Sequence, residues 1–261
     1  MTADLPRLPP PPAPARDWAL FLDIDGTLLD FAPTPDAPHI PDGLLEVLQR
    51  LHDALDGALA LVSGRRIVQI DALFAPLRLP AIGLHGLEVR EHDGHQAAHL
   101  TGIAEAAPEL ATVRVAAQAL AAKYPGTLVE DKGSALALHW RGAPAAEEPL
   151  HEFATSVLIN LPGYHLQPGN HVFELRPDGA HKGHAILALL GTPAFFGRRP
   201  VVLGDDLTDE HAFVEVNALD GVSILVGQRT PSAARYGLPD PAASRAWLQQ
   251  LAQALAKDVA A

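Results

Sequence analysis

Apolar positions along the chain follow two different periods. Trp18-Ala-Leu-Phe-Leu22, "GALALVSG" and "PVVLGDD" are short unbroken apolar runs that end in turn residues, as expected of strands buried on both faces. "GVSILVG" is a further run of this kind, and one strand is expected around "AIGLHGLEV". Between the runs, apolar residues recur at helical spacing. Leu44, Leu45, Leu48, Leu51 and Leu55 form one stripe, and helices are expected from Ile67 to Phe74, from Lys182 to Leu190 and from Asp209 onward. Strand and helix in alternation imply parallel β-α units.

From about Ala106 to Pro177 the pattern changes. A helix over Leu110 to Lys123 precedes "GTLVEDKGSALALHWR", two strands turning near Lys132-Gly133. A helix over Glu147 to Leu158 precedes "YHLQPGNHVFELRP", a second pair turning at Pro168-Gly169-Asn170. The expected architecture is therefore an α/β core of residues 16–105 and 178–261, a Rossmann-like parallel sheet flanked by helices. An α+β domain over 106–177 is inserted in it. A last helix, Pro241 to Lys257, should return to cover the core sheet, and no repeat at solenoid spacing is present.

Charge and composition narrow the function. The net charge of −12, from 19 basic and 31 acidic residues, argues against a nucleic-acid surface and against an anionic membrane. With no cysteine, disulfides, thiol catalysis and zinc–thiolate sites are excluded, and a reducing compartment is favoured. The proline-rich stretch 1–15 has no apolar h-region, so it is expected to be a disordered, polyproline-like leader rather than a signal peptide. No apolar run approaches the roughly 20 residues that span a bilayer. A cytoplasmic monomer is the expectation.

The chemistry sits where strands end. Asp23 and Asp25 follow the first apolar run, Ser63-Gly64 the second, and Asp205-Asp206 the run "PVVLG", while Lys182 stands near a helix start. Acids at the end of a buried strand are costly unless their charge is compensated. In an open parallel sheet, ligands bind beyond the carboxyl ends of the strands. Gathered there, these groups suit phosphoryl transfer. Hard carboxylate oxygens favour Mg²⁺. One Asp can attack phosphorus, a second can protonate the leaving alcohol, and a hydroxyl with an ammonium can hold the phosphoryl oxygens.

Asp23-Ile-Asp-Gly-Thr27, Ser63, Lys182 and Gly204-Asp-Asp206 resemble the four ordered motifs of the haloacid dehalogenase superfamily. More narrowly, "LVSGR", "GLHGLE", "VEDKGSALALHWR", "FELRP…HKG" and "GDDLTDE" resemble the trehalose-6-phosphate phosphatases, over about residues 17–230. The resemblance implies a Mg²⁺-dependent phosphatase acting on trehalose 6-phosphate through an aspartyl-phosphate. Asp23 would be the nucleophile and Asp25 the general acid/base. Asp23, Asp25 (through its carbonyl) and Asp205 would hold Mg²⁺. Thr27, Ser63, Gly64 and Lys182 would contact phosphate, with Asp206 orienting Lys182 or a metal-bound water. The insert would be a cap whose Glu130, Lys132 and Glu174 read the sugar hydroxyls.

Several residues keep two readings. Thr208 is a good helix N-cap, which would make Asp209 and Glu210 first-turn acids rather than substrate contacts. Arg65 either reaches substrate or pairs with a core acid, and His85 either lines the sugar pocket or is structural. Arg141 and Arg176 are expected to be solvated strand ends. Sucrose-phosphate and mannosyl-phosphoglycerate phosphatases share the core residues, and a phosphomutase or a non-catalytic sugar-phosphate sensor are further alternatives.

Overall fold

The computed structural model describes residues 8–30, 39–91, 107–179 and 181–257. Residues 1–7 of the leader, residues 31–38, and the stretch at the expected first boundary between core and insert lie outside them. The chain divides into two compact units, one of residues 1–100 with 181–261 and one of residues 101–180.

The first unit is built on a seven-stranded sheet. Its strands are β1 (Trp18–Asp23), β2 (Leu59–Val62), β3 (Ala81–Gly83), β4 (Glu88–Arg90), β9 (Arg199–Gly204), β10 (Val222–Val226) and β11 (Tyr236–Leu238), β5 to β8 belonging to the other unit. Their order is β11-β10-β9-β1-β2-β3-β4, parallel except for the β3–β4 pair. The helices are α1 (Leu44–Ala54), α2 (Ile67–Phe74), α5 (Lys182–Leu190), α6 (Leu207–Ala218) and α7 (Pro241–Lys257). From β1 the chain steps one way through α1 to β2, and from β9 the other way through α6 to β10. Right-handed crossovers then put α1 and α6 on opposite faces of the sheet. Both faces are covered, as the unbroken apolar strands require. Trp18 stacks on Trp247 of α7, and Phe21, on the opposite face, stacks on Phe195.

Within this unit the strand pattern and the leader depart from the sequence reading. "AIGLHGLEV" is not one strand but two antiparallel ones, because Leu84, His85 and Gly86 all take positive φ and reverse the chain. β11 is short and half-buried, too weak a pattern to register. The disordered leader expected over 1–15 does not extend to residues 8–15: Leu8 packs on the core, and the Gly237 N–H donates to the Pro9 carbonyl at 3.0 Å.

The second unit has an antiparallel sheet ordered β5-β6-β8-β7, made of β5 (Leu128–Asp131), β6 (Leu136–His139), β7 (Tyr164–Gly169) and β8 (Val172–Pro177). Helices α3 (Pro108–Ala121), with proline at its first turn, and α4 (Glu147–Val157) supply Leu110, Val113, Leu150 and Ala154 to its core. They pack on the face that carries Leu136, Leu138, Phe173 and Leu175. The alternate residues Glu130, Ala137, Glu174 and Gln167 pair directly across the sheet, which makes its other face polar. Arg176 belongs to that face. Expected to be solvated, it is buried and donates to Gln167 at 2.9 Å.

Candidate active site

Because β9, β1 and β2 are adjacent and parallel, their carboxyl ends emerge at one edge. Asp23 pairs in register with Val62, the residue before Ser63, and Leu22 pairs with Leu203, two residues before Asp205. Lys182 is the first residue of α5 and is only 2% exposed. Its Nζ donates to Asp23 Oδ1 at 2.6 Å and to Asp209 Oδ1 at 2.7 Å, and lies 4.0 Å from Asp206 Oδ1. Asp23, Asp205, Asp206 and Lys182 are thus brought together, and Asp209 joins them.

Asp209 is the residue the sequence reading undervalued. The N-cap of α6 is Asp206, not Thr208: its Oδ1 accepts from the Thr208 N–H at 2.8 Å and the Asp209 N–H at 3.1 Å. Asp209 closes the capping box, its Oδ2 accepting from the backbone N–H groups of Asp205 and Asp206 at 3.0 and 3.1 Å. With Oδ2 so held, Oδ1 faces Lys182. The available signal was the spacing, an acid three residues after the capping Asp206, which returns its carboxylate to the strand end. Glu210 has a structural part, accepting from the Ala233 N–H at 2.7 Å.

One ammonium does not balance this many acids. Burial pushes Asp23 up to about 7, against the pull of Lys182 and with the help of Asp205 and Asp206. Burial, with Asp209 and Asp206 beside it, raises Asp205 to about 6. Burial also holds Asp209 well above the usual carboxylate range. At Asp206 burial is outweighed by the Lys182 charge and by hydrogen bonds from Thr208 and Asp209, which hold it at about 2. For Lys182, burial would lower the pKa, but Asp209, Asp23 and Asp206 together raise it, so the amine is charged.

The cluster suits a hard divalent cation. Asp23, Asp205 and Asp209 each offer a carboxylate oxygen within 4.8 Å of the others, all donors are oxygens, and the raised values of Asp23 and Asp205 are those of acids short of positive charge. Gly26, at φ 88°, makes room for it, since a Cβ there would collide with the Asp205 carboxylate. The Asp25 carboxylate stands apart from this cluster. Arg65 grips it in a fork, Nε and Nη2 each at 2.7 Å, which settles Arg65 as the partner of an acid in this state.

The phosphate-loop candidates lie beside these acids. Thr27 is fully buried, its hydroxyl donating to Asp205 Oδ1 at 3.2 Å. Ser63 Oγ accepts from the Arg65 N–H at 3.1 Å. His85 is strained at φ 54° directly after Leu84 at φ 49°. Non-glycine residues in this region cost on the order of 1–3 kcal/mol each and persist where the surroundings impose them. Here the strain lays the His85 ring over Gly64, where any Cβ would collide with it.

The second unit gathers the other candidates on its polar sheet face and the turn beside it. Lys132, in the turn after β5, donates to Glu174 Oε1 at 2.9 Å, and both side chains are 13% exposed. Glu130 Oε2 lies 2.9 Å from His139 Nε2.

Comparison with known proteins agrees with this geometry. The trehalose-phosphatase family profile matches residues 21–242. A probable trehalose-phosphate phosphatase of Sinorhizobium fredii is 44% identical over 240 residues, which is 90% of this chain and 88% of that protein. The trehalose-6-phosphate phosphatase of Escherichia coli is 41% identical over 246 residues, 94% of this chain and 90% of that one. The crystal structure of a trehalose-6-phosphate phosphatase related protein superposes with a TM-score of 0.73 at 26% identity, covering 92% of this chain and 99% of that chain. A haloacid dehalogenase-like hydrolase from Bacteroides thetaiotaomicron shares the fold, with a TM-score of 0.65 at 16% identity, covering 91% and 98%. The fold is thus the haloacid dehalogenase-like one, a parallel sheet flanked by helices with a separate antiparallel sheet. With strand-end acids, lysine and insert all falling within the matched region, the chain belongs to the trehalose-phosphatase family.

Proposed function

We propose that this protein hydrolyses trehalose 6-phosphate to trehalose and phosphate, as a Mg²⁺-dependent phosphatase of trehalose biosynthesis working through an aspartyl-phosphate. The observation that carries the reading is the buried Asp23, held by Lys182 at the shared edge of β9, β1 and β2. Lys182 engages Oδ1, which leaves Oδ2 to attack. The Oδ2–phosphorus bond forms as the bond from phosphorus to the sugar oxygen breaks, and Asp25 gives that oxygen its proton. Asp25 then takes a proton from the water that attacks the aspartyl-phosphate, which releases phosphate and restores Asp23. To do so Asp25 must exchange its Arg65 partner, and an arriving phosphoryl group is a strong competitor for a guanidinium. Ser63 and the backbone at Gly64, with Thr27 close by, border the space for the phosphoryl oxygens, and Lys182 offsets their charge as it spreads. Mg²⁺, held by Asp23 and Asp205 with the Asp25 carbonyl, would supply charge neutralisation and orientation of the phosphoryl group. Asp206 and Asp209 hold the start of α6, and Asp209 also braces Lys182.

For the sugar, we assign selectivity to Glu130, Lys132 and Glu174. All three are charged groups able to exchange their present partners for hydroxyls. Among the described residues no helix is long and apolar enough to cross a membrane. A cytoplasmic monomer taking a small-molecule substrate completes the reading. The deciding experiment is phosphate release from a panel of sugar phosphates with and without Mg²⁺. Turnover confined to trehalose 6-phosphate and lost on chelation is expected. Equal rates on sucrose 6-phosphate or mannosyl-phosphoglycerate, or sugar-to-sugar phosphate transfer, would reject it.

A further inference from the structure

Helices α5 and α6, which hold Lys182 and Asp209, also carry imidazoles and a carboxylate that phosphoryl transfer leaves unused. His181 is the N-cap of α5 and His184 lies one turn on, while His211 and Glu215 are one turn apart on α6. The rings of His181 and His184 have centroids 3.8 Å apart, and the His211 ring is 5.3 Å from that of His181. One ligand atom from each of His181, His184 and Glu215 falls within 4.8 Å of the other two.

The local structure holds these groups in place. His181 Nδ1 accepts from the His184 backbone N–H at 3.2 Å, which fixes the ring's orientation; a metal would take the ring nitrogen nearer the cluster, with this bond or the tautomer exchanged on binding. Gly183 separates Lys182 from His184, and a Cβ there would stand 2.8 Å from Glu215 Cγ and 3.1 Å from His181 Nδ1. The absent side chain is therefore what lets the Glu215 stem lie against the start of α5. A neighbouring helix brings its carboxylate to two imidazoles across a gap only glycine leaves open.

Two imidazoles and a carboxylate are the donors of a borderline divalent cation such as Zn²⁺, Co²⁺ or Ni²⁺, whereas Mg²⁺ seeks oxygen alone. Bonds of about 2.1 Å in a tetrahedron set ligand atoms about 3.4 Å apart, so side-chain movements of about an ångström would complete the set. We propose that His181, His184 and Glu215 form a second metal site, selective for a Zn²⁺-type cation, that ties α5 to α6. His181 is covalently next to Lys182, and Glu215 shares α6 with Asp209, so an ion there steadies the two helices whose ends make the buried ion pair. The site is separate from the carboxylate cluster and does not depend on the phosphatase reading.

Zn²⁺ is titrated calorimetrically into the full-length protein with Mg²⁺ in excess, and melting is followed with and without Zn²⁺. Wild-type protein and the Asp23→Asn variant should each bind one equivalent and melt at higher temperature with Zn²⁺ present. His184→Ala and Glu215→Gln should fold, bind Zn²⁺ at least about tenfold more weakly and lose the thermal shift, since each lacks one of three ligands. Wild-type affinity in both of these variants would overturn the proposal. So would the absence of stoichiometric binding to the wild type, or loss of binding in Asp23→Asn alone, which would put the ion in the carboxylate cluster.

Discussion

Lys182 in the first unit and Lys132 in the second each meet a carboxylate closely, at 2.6 Å to Asp23 and 2.9 Å to Glu174, yet their surroundings differ in kind. Lys182 is 2% exposed, bonded to two acids with Asp206 also near, and the neighbouring acids exceed it in charge. Lys132 and Glu174 pair at a polar sheet face, each 13% exposed, and the buried Arg176 beside them also feels the Glu174 charge. A buried pair that loses one partner strands the other at a cost of about 3–5 kcal/mol, whereas a pair near water can exchange partners cheaply. The first arrangement suits a fixed catalytic centre that draws in a cation. The second suits groups that trade one another for substrate hydroxyls.

The largest test of this contrast removes the atom proposed to attack phosphorus. Asp23→Asn keeps the size and the hydrogen bond to Lys182 but cannot attack phosphorus. Turnover should fall by at least about 10⁴-fold while circular dichroism stays native. Substantial residual phosphate release would defeat the covalent route.

The two lysines can then be compared directly. Lys182→Ala leaves Asp23 and Asp209 buried without their counter-charge, so turnover should drop by about 10³-fold and urea unfolding should show a loss of about 3–5 kcal/mol. Lys132→Ala should cost about 1 kcal/mol or less. Similar stability losses in both variants would erase the distinction.

Proton linkage gives a smaller effect. With Asp23 at about 7 and Asp205 at about 6 in the metal-free protein, both bind protons as pH falls below neutrality. Metal binding needs the ionised forms, so it must expel those protons, and affinity weakens with acidity. Between about pH 7.5 and pH 5.5 the apparent Kd for Mg²⁺, measured calorimetrically, should rise on the order of 100-fold. A Kd independent of pH would show that these acids are ionised before the metal arrives.

The smallest effect is the most selective. Glu130→Ala, Lys132→Ala and Glu174→Ala should each lower kcat/KM for trehalose 6-phosphate by about 10- to 50-fold, by removing the proposed partners of sugar hydroxyls. Hydrolysis of p-nitrophenyl phosphate, which needs only the strand-end groups, should change less than about twofold. Equal losses on both substrates would assign these residues to folding rather than to the sugar.

Much of this molecule is legible along the chain because burial imposes a period. β1, β2, β9 and β10 are apolar throughout, which marks strands covered on both faces, and the bounds of α2, α5 and α7 follow from their stripes and flanking turns. That Asp23, Ser63 and Asp205 lie at strand ends is visible for the same reason. Periodicity reports how one element is buried and says nothing of what it meets. Lys182 finds Asp23 across 159 residues and Asp209 across 27, and Arg65 finds Asp25 across 40. Those encounters exist only once the parallel sheet aligns its carboxyl ends. The split of β3 from β4 depends on three consecutive positive φ values, a strain that local sequence disfavours and tertiary packing imposes. The burial of Arg176 likewise depends on Gln167 standing beside it on the neighbouring strand. Composition and pattern determined most of the elements, the inserted unit and the acids at the strand ends. Only the folded structure decided which acid braces the lysine, which one the arginine holds, and that the cluster is short of positive charge, because pairing and desolvation are properties of distance in space.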